Sequence, residues 1–236
     1  MEITGKELKN ILFHHRKWLD NEDGGVCANL SHADLSGADL AGANLSQAVL
    51  SGSDLTGATL VRANLSGVDL SGADLCDADL SRANFYRATL SYANLSGANL
   101  TRANLSGVDI SRANLSHANL AGANLTRADL TGADLNEADL TGADLERTDL
   151  ALADLTGADL TGASLSYADL SYANLTRANL ARVNLAGVYI SRANLSYANL
   201  AGANLTRADL TLADLNEADL NEADLTGATW IDGTKK

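Results

Sequence analysis

The dominant pattern in this sequence is a large apolar residue at every fifth position from residue 30 to residue 230. Of these forty-one positions, which we call the centres, thirty-seven are leucine and the others are Phe85, Ile110, Ile190 and Trp230. The residue two positions before a centre is alanine in thirty-five pentads, and the residue directly before it is Asp or Asn in thirty-five. The pattern predicts one large and one small buried residue in each pentad, with the other three residues facing water.

A repeat of five residues fits neither a long α-helix nor a long β-strand. Successive centres on an α-helix would be rotated by about 140°, so the leucines would wind around the whole helix. On a strand, an odd period would send successive leucines to opposite faces. Short segments separated by bends satisfy the pattern and predict an all-β solenoid. Ala and Leu are also good helix formers, so an array of helical repeats stays open as an alternative.

Tandem sequences such as ADLSG and ANLTR resemble the pentapeptide-repeat family. The resemblance covers residues 28–232 and implies a right-handed, quadrilateral β-helix of about ten coils, in which four pentads form each coil. An internal duplication agrees with four sides, because residues 111–140 recur at 191–220, an offset of eighty residues. Eighty is a multiple of twenty and not of fifteen, so the two copies fall on the same face of a four-sided coil.

Residues 1–27 lack the repeat and predict an α-helix. Thr4 and Glu7 have the spacing of a capping box, and apolar residues follow at helical intervals. An open solenoid end exposes its core, so we expect this helix to cap the first coil. A helix lying on a membrane surface is the alternative, although such helices carry a more basic polar face. At the other end we expect Trp230 to close the last coil, followed by a short tail at 233–236.

The sequence contains no recognisable catalytic, cofactor-binding or metal-binding motif. The four histidines occur as the adjacent pair His14 and His15, in the predicted helix, and singly at His32 and His117. Of the twenty aspartates between residues 28 and 230, all but Asp77 directly precede a centre, where they are typical of turns. We therefore expect no enzymatic activity, no cofactor and no metal site.

The cysteines and the hydropathy indicate a compartment. Cys27 and Cys76 occupy outward positions on different sides of the predicted coil, so they are not expected to form a disulfide. Unpaired thiols, the lack of a secretory signal in this sequence and the lack of a long apolar run predict a cytoplasmic protein that does not enter membranes. The family resemblance adds a bacterial origin.

The net charge of −13 disfavours direct nucleic-acid binding. Charge alternates in bands, with sums of −6 over 28–79, +4 over 80–128, −9 over 129–169, +4 over 170–208 and −6 over 209–224. Some pentapeptide-repeat proteins protect DNA gyrase, a type II topoisomerase, by resembling B-DNA, so the resemblance implies a DNA-mimic alternative. A duplex mimic needs continuous negative potential, and two positive bands interrupt it here. A binder of ice or carbohydrate surfaces through Ser and Thr is a third option.

The leading hypothesis is a non-enzymatic scaffold that presents an elongated acidic, charge-banded surface to a protein partner. Outward apolar residues concentrate on one side of the predicted coil. Leu152, Tyr172, Arg192 and Leu212 occupy the same position in four successive coils, and Tyr189 shares the coil of Arg192. Exposed aromatic residues and arginine are typical of binding hot spots. We predict that these five residues dock a partner, which is either another protein, whose identity the sequence does not specify, or a second copy in a homodimer.

Overall fold

The computed structural model describes residues 3–236 as one α-helix followed by a long solenoid. Helix α1 spans Gly5–Leu19 and is the only helix among these described residues. From Asn29 onwards, parallel β-bridges join residues twenty apart, beginning with Asn29 to Val49 and continuing to Thr229. Each side of a coil contributes a single bridge residue rather than a longer strand. The four-sided β-helix predicted from the sequence is confirmed, and the helical-repeat alternative is wrong.

Backbone hydrogen bonds between adjacent coils repeat every five residues. The N–H of Leu35 donates to the carbonyl of Asp54 at 2.7 Å, and the N–H of Asp54 donates to the carbonyl of Ala33 at 2.9 Å. This exchange requires a backbone N–H at the paired positions of every pentad. The absence of proline from the whole sequence therefore agrees with the fold.

Each corner of the coil is a turn of four residues. In the corner after Leu30, the N–H of Ala33 donates to the carbonyl of Leu30 at 3.1 Å, and His32 has a φ of 56°. A positive φ at the third residue alone identifies a type II turn, which is why glycine fills this position in many corners. The Oδ1 atom of Asn29 accepts the N–H of Ser31 at 3.1 Å, and this bond explains the preference for Asp or Asn before each centre.

The centres and the small residues two positions before them fill the interior. Leucine centres from Leu30 to Leu210 are buried, and Phe85 is accommodated among them without exposed area. Thr148 replaces alanine in the core and donates its hydroxyl to the carbonyl of Leu125 at 2.8 Å. Because this buried hydroxyl is hydrogen-bonded, its desolvation is compensated.

Helix α1 covers the open end of the first coil. The predicted capping box is present, since Thr4 N–H donates to Glu7 Oε2 at 2.9 Å and Glu7 N–H donates to Thr4 Oγ1 at 3.3 Å. Residues 1 and 2 of the predicted cap lie outside the described residues. Apolar residues on one face of the helix pack against the solenoid core: Leu8, Ile11 and Leu12. This packing uses the apolar face that a membrane-surface helix would need.

At the opposite end the chain folds back on its last coil. Thr229 forms an antiparallel bridge with Lys235, and the N–H of Lys236 donates to the carbonyl of Ala228 at 3.0 Å. The Nζ atom of Lys236 lies 5.0 Å from the centre of the Trp230 ring, a cation–π contact. The end is thinly covered, because its last leucine centres are only partly buried: Leu215, Leu220 and Leu225.

Candidate interaction surface

Four of the five predicted docking residues form a single column along one corner of the solenoid. They occupy the third position of successive turns, with positive φ between 59° and 63°: Leu152, Tyr172, Arg192 and Leu212. We call these four residues the corner column. Leu152 is 64% exposed, Tyr172 is 54% exposed and Leu212 is 60% exposed. Because adjacent coils are about 4.8 Å apart, the column is roughly 14 Å long.

Within the corner column, Arg192 and Tyr172 are in direct contact. The Nη1 atom of Arg192 donates to the Tyr172 hydroxyl at 3.0 Å, and its Cζ atom lies 5.5 Å from the centre of the tyrosine ring. The two contacts hold the guanidinium along the column. Side chains held by such contacts have less conformational freedom to lose in any binding event.

The same contact occurs eighty residues earlier on the same corner. The Nη1 atom of Arg112 donates to the Tyr92 hydroxyl at 2.7 Å, and its Cζ atom lies 5.6 Å from the ring centre. This pair was not among the predicted docking residues. The signal was a tyrosine followed twenty residues later by an arginine, a combination that occurs twice at positions eighty residues apart, although both tyrosines precede the duplicated segments.

Positive φ does not by itself distinguish the corner column. Such backbone is uncommon for residues other than glycine, yet Arg62, Glu137 and His117 adopt it at equivalent turn positions. The conformation is therefore a property of the fold, and any long side chain at this position projects from a corner. The apolar character of the column is what distinguishes it from the other corners.

Tyr189 lies in a different setting from the corner column. It is 57% exposed and lines a shallow surface depression with Tyr167 and Arg207. The ring of Tyr167 lies over Gly187, where an added Cβ would come within 2.8 Å of it. Four of the five predicted residues therefore lie in one column, and the fifth, Tyr189, lines an adjoining depression. Tyr167 is a residue of that depression that sequence reasoning did not include.

The side of the coil that adjoins the corner column carries a row of carboxylates. Four aspartates occupy consecutive parallel bridge positions on this side: Asp109, Asp129, Asp149 and Asp169. Each accepts a turn N–H, as Asp149 does from Ala151 at 3.0 Å. Ionised carboxylates cannot donate hydrogen bonds to one another, so neighbouring aspartates in this row repel each other. The row presents unneutralised negative charge beside the column.

The described residues offer little for chemistry. Among residues 3–236, no group of His, Cys, Asp and Glu side chains is arranged to hold a metal ion. Within the same range, no helix has the length and apolar character needed to cross a bilayer. Cys27 and Cys76 are free cysteines, and partial burial raises the pKa of the Cys27 thiol, which disfavours the reactive thiolate.

Comparisons with known proteins agree with this geometry. A family model described as pentapeptide repeats matches 8 copies, over residues 28–67, 69–107, 109–147, 158–196 and 193–229. The solved structure of HetL, a pentapeptide repeat protein involved in heterocyst differentiation regulation from the cyanobacterium Nostoc, is 36% identical, with 100% of each chain covered and a TM-score of 0.60. QnrB1, a plasmid-mediated fluoroquinolone resistance protein, is 19% identical over 72% of this chain and 89% of that chain, with a TM-score of 0.59, so that likeness shows the fold alone. Comparison with curated proteins gives no match.

Proposed function

Since this chain belongs to the pentapeptide-repeat family and forms its right-handed quadrilateral β-helix, we propose that it is a non-enzymatic scaffold that docks a protein partner through the corner column. The likeness to HetL extends over the full length of both chains at 36% identity. That likeness supports a regulatory role, because HetL is described as involved in the regulation of heterocyst differentiation.

The exposed apolar and aromatic column carries this proposal. Most outward positions of the solenoid hold Ser, Thr, Gly, Asp or Asn, whereas the column places Leu152, Tyr172, Arg192 and Leu212 next to one another. Contiguous apolar patches on a soluble surface usually mark contact sites, and tyrosine and arginine are enriched at binding hot spots. The fixed Tyr172–Arg192 contact adds preorganisation to this patch.

The surroundings of the column define the chemistry of the partner. Asp149 and Asp169 stand on the adjoining side, in the row of carboxylates. A partner that fits this surface presents an apolar pocket or groove for Leu152 and Leu212, flanked by lysine or arginine residues opposite the aspartates. Complementary charge of this kind accelerates association and sets the orientation of docking.

The test is the double variant Tyr172→Ser with Leu212→Ser, compared with the parent in pull-downs from the native cytosol. The matched control is Tyr86→Ser with Tyr197→Ser, because those tyrosines are 44% and 50% exposed and lie outside the column. We expect the first variant to lose a specific partner that the parent and the control both retain. Identical partner profiles for all three proteins would refute docking through the column.

A second candidate function is DNA mimicry directed at a type II topoisomerase. The net charge of −13 and the rod-like fold favour it. The charge bands oppose it, as does the row of arginines described below. We therefore rank it behind the scaffold.

A further inference from the structure

A row of arginines lies on a different corner from the docking surface. Arg62, Arg82 and Arg102 occupy the third position of the turn in three successive coils, with φ values of 58°, 59° and 57°. All three side chains are exposed. We call these three residues the arginine column. The ion pairs formed among the described residues do not involve any of the three: they are Arg16–Asp20, His117–Glu137 and Arg147–Glu146.

The side that precedes this corner holds one carboxylate, Asp79, which forms no ion pair with the arginines within the described part of the chain. The side that follows the corner carries no charge. Its bridge positions hold Asn64, Asn84 and Asn104, whose side chains form an amide ladder. The Nδ2 atom of Asn84 donates to Asn64 Oδ1 at 3.2 Å, and that of Asn104 donates to Asn84 Oδ1 at 2.8 Å. The asparagine side chains thus donate hydrogen bonds to one another along the ladder, and they carry no charge. The result is a stack of three like charges, about 4.8 Å apart, on a protein whose net charge is strongly negative.

The charge complementary to the arginine column occurs elsewhere on the same chain. Asp34, Asp54 and Asp74 form consecutive parallel bridges on another side, and we call them the aspartate column. The Oδ1 atom of each aspartate accepts a hydrogen bond from the backbone N–H two residues later, at 2.9 to 3.1 Å. The Oδ2 atoms accept no hydrogen bond from the described residues. Gly37 and Gly57 occupy the adjoining corner, and neither has any atom near the place of a Cβ, so the carboxylates are open to approach.

We propose that the arginine column docks on the aspartate column of a second copy of this chain. In register, the three pairs are Arg62 with Asp34, Arg82 with Asp54, and Arg102 with Asp74. Both columns carry three charges, and both take their spacing of about 4.8 Å from the same hydrogen bonds between coils. A partner helix, with a pitch of about 5.4 Å, or an extended strand, with alternate side chains about 6.8 Å apart, drifts out of register. A second β-solenoid is the partner whose charges have the same spacing as the arginine column.

The two columns cannot pair within one molecule. Going along the chain from Asp54 to Arg62, the backbone passes the corner at Gly57 before it reaches the arginine corner, so the columns face different directions. Each copy therefore offers an arginine column to one neighbour and an aspartate column to another. Such head-to-tail contacts are heterologous and extend laterally unless the rotation closes a ring. At physiological salt, charges farther away than about 8 Å are screened, so the facing columns outweigh the repulsion between net negative rods.

Charge reversal tests this contact directly. The first variant is Arg82→Glu with Arg102→Glu, and Glu137 and Glu217 show that glutamate accepts the same turn position at a φ of 55°. The second variant is Asp54→Lys with Asp74→Lys, and Val49 and Thr59 show that bridge positions do not require a carboxylate. Matched controls with equal changes in net charge are Arg147→Glu with Arg207→Glu, and Asp139→Lys with Asp159→Lys. None of these changes touches the corner column.

Sedimentation velocity over a concentration series, at about 150 mM and about 1 M salt, provides the readout, since the screening length falls from about 8 Å to about 3 Å between these salts. We expect the sedimentation coefficient of the parent and both controls to rise with concentration at low salt and to lose that rise at high salt. Each column variant alone should stay monomeric. An equimolar mixture of the two should regain the rise, because the unaltered arginine column of the second variant faces the unaltered aspartate column of the first, and the glutamate and lysine columns are complementary as well. A parent that stays monomeric at low salt, or column variants that associate as their controls do, would overturn the proposal.

Discussion

The guanidinium of Arg192 and the ring of Tyr172 are bound to each other across adjacent coils, by a 3.0 Å hydrogen bond to the hydroxyl and a 5.5 Å cation–π contact. The arginine stands one coil after the tyrosine, twenty residues later in sequence. The pair Tyr92 and Arg112 repeats both the order and the contacts. The reverse order occurs at Arg177 and Tyr197, and no ring contact forms there among the described residues. The contact thus forms where the tyrosine precedes the arginine and is absent from the described pair in the opposite order.

This directionality predicts a measurable coupling energy. In a double-mutant cycle of Tyr172→Ala and Arg192→Ala, we expect the free energies of unfolding to show a coupling of about 0.5 to 1 kcal/mol, as for exposed cation–π pairs. The control cycle uses Arg177→Ala and Tyr197→Ala, which have the same separation in the opposite order. Equal coupling in the two cycles would show that the contact is not specific. Urea titrations followed by circular dichroism supply the free energies.

The core predicts a large difference between inward and outward substitutions. Leu140 is fully buried in mid-rod, so Leu140→Asp should lower the free energy of unfolding by several kcal/mol, because it buries an unpaired charge and removes packing. Asn136 lies nearby at an outward position, and its Nδ2 atom donates a hydrogen bond to Asp134 Oδ1. Asn136→Ser should be nearly neutral, because serine makes the equivalent bond at Ser111, 2.7 Å from Asp109 Oδ1. Comparable losses in the two variants would contradict the inward and outward assignment.

The N-terminal cap should loosen in mildly acidic solution because of His15. This side chain is fully buried under α1, its Nδ1 atom accepts the N–H of Ala28 at 3.0 Å, and its ring stacks on Trp18 at 5.6 Å. Burial lowers the pKa of His15, and the backbone of Ser46 acts in the opposite direction with smaller effect. The folded protein therefore binds fewer protons than the unfolded one. The stabilisation is complete above about pH 6.5, the unfolded pKa, and is lost as the pH falls toward the folded value.

Trp18 fluorescence in a Trp230→Phe background reports this opening. We expect a fluorescence change below about pH 6.5, the unfolded pKa of histidine. The change should disappear in His15→Asn, because asparagine accepts the Ala28 N–H through Oδ1 but does not titrate. His117→Asn is the control, since His117 is exposed and pairs with Glu137 far from the cap. A transition that persists in His15→Asn would assign the effect to another group.

The sequence predicted the fold in detail because one constraint is repeated throughout. Each centre must be buried and each corner must form a turn. Leu140, Asn29 and Gly52 therefore indicate the same coil geometry independently, one through burial and two through turn formation. The contact between Tyr92 and Arg112 was not foreseen, because it depends on rotamers at a corner rather than on which side faces inward. The fold-back of Lys235 onto Thr229 was not foreseen either, since residues 233–236 lie outside the repeat. The proposed docking through the corner column involves a second molecule, about which a single sequence carries no information.

Charge density predicts weak action on DNA gyrase. B-DNA carries about one negative charge per 1.7 Å of its axis. This rod is roughly 50 Å long by the spacing between coils, so its net charge of −13 amounts to about one charge per 4 Å. The arginine column further interrupts the negative potential with three unneutralised cations on one corner. We therefore expect the purified protein to inhibit supercoiling weakly or not at all.

A supercoiling assay over a concentration series up to the micromolar range measures this inhibition. The informative variant is Asp134→Asn with Asp139→Asn and Asp154→Asn. It removes three negative charges from the most acidic band, residues 129–169. These changes keep the Oδ1 acceptor that binds the turn N–H, as Asn114 Oδ1 does for Ser116 at 2.9 Å. The fold should therefore persist, and only the potential changes. Inhibition by the parent below micromolar concentration that disappears in this variant would place the DNA-mimic function ahead of the scaffold, because it would show that recognition requires the negative charge of the acidic band.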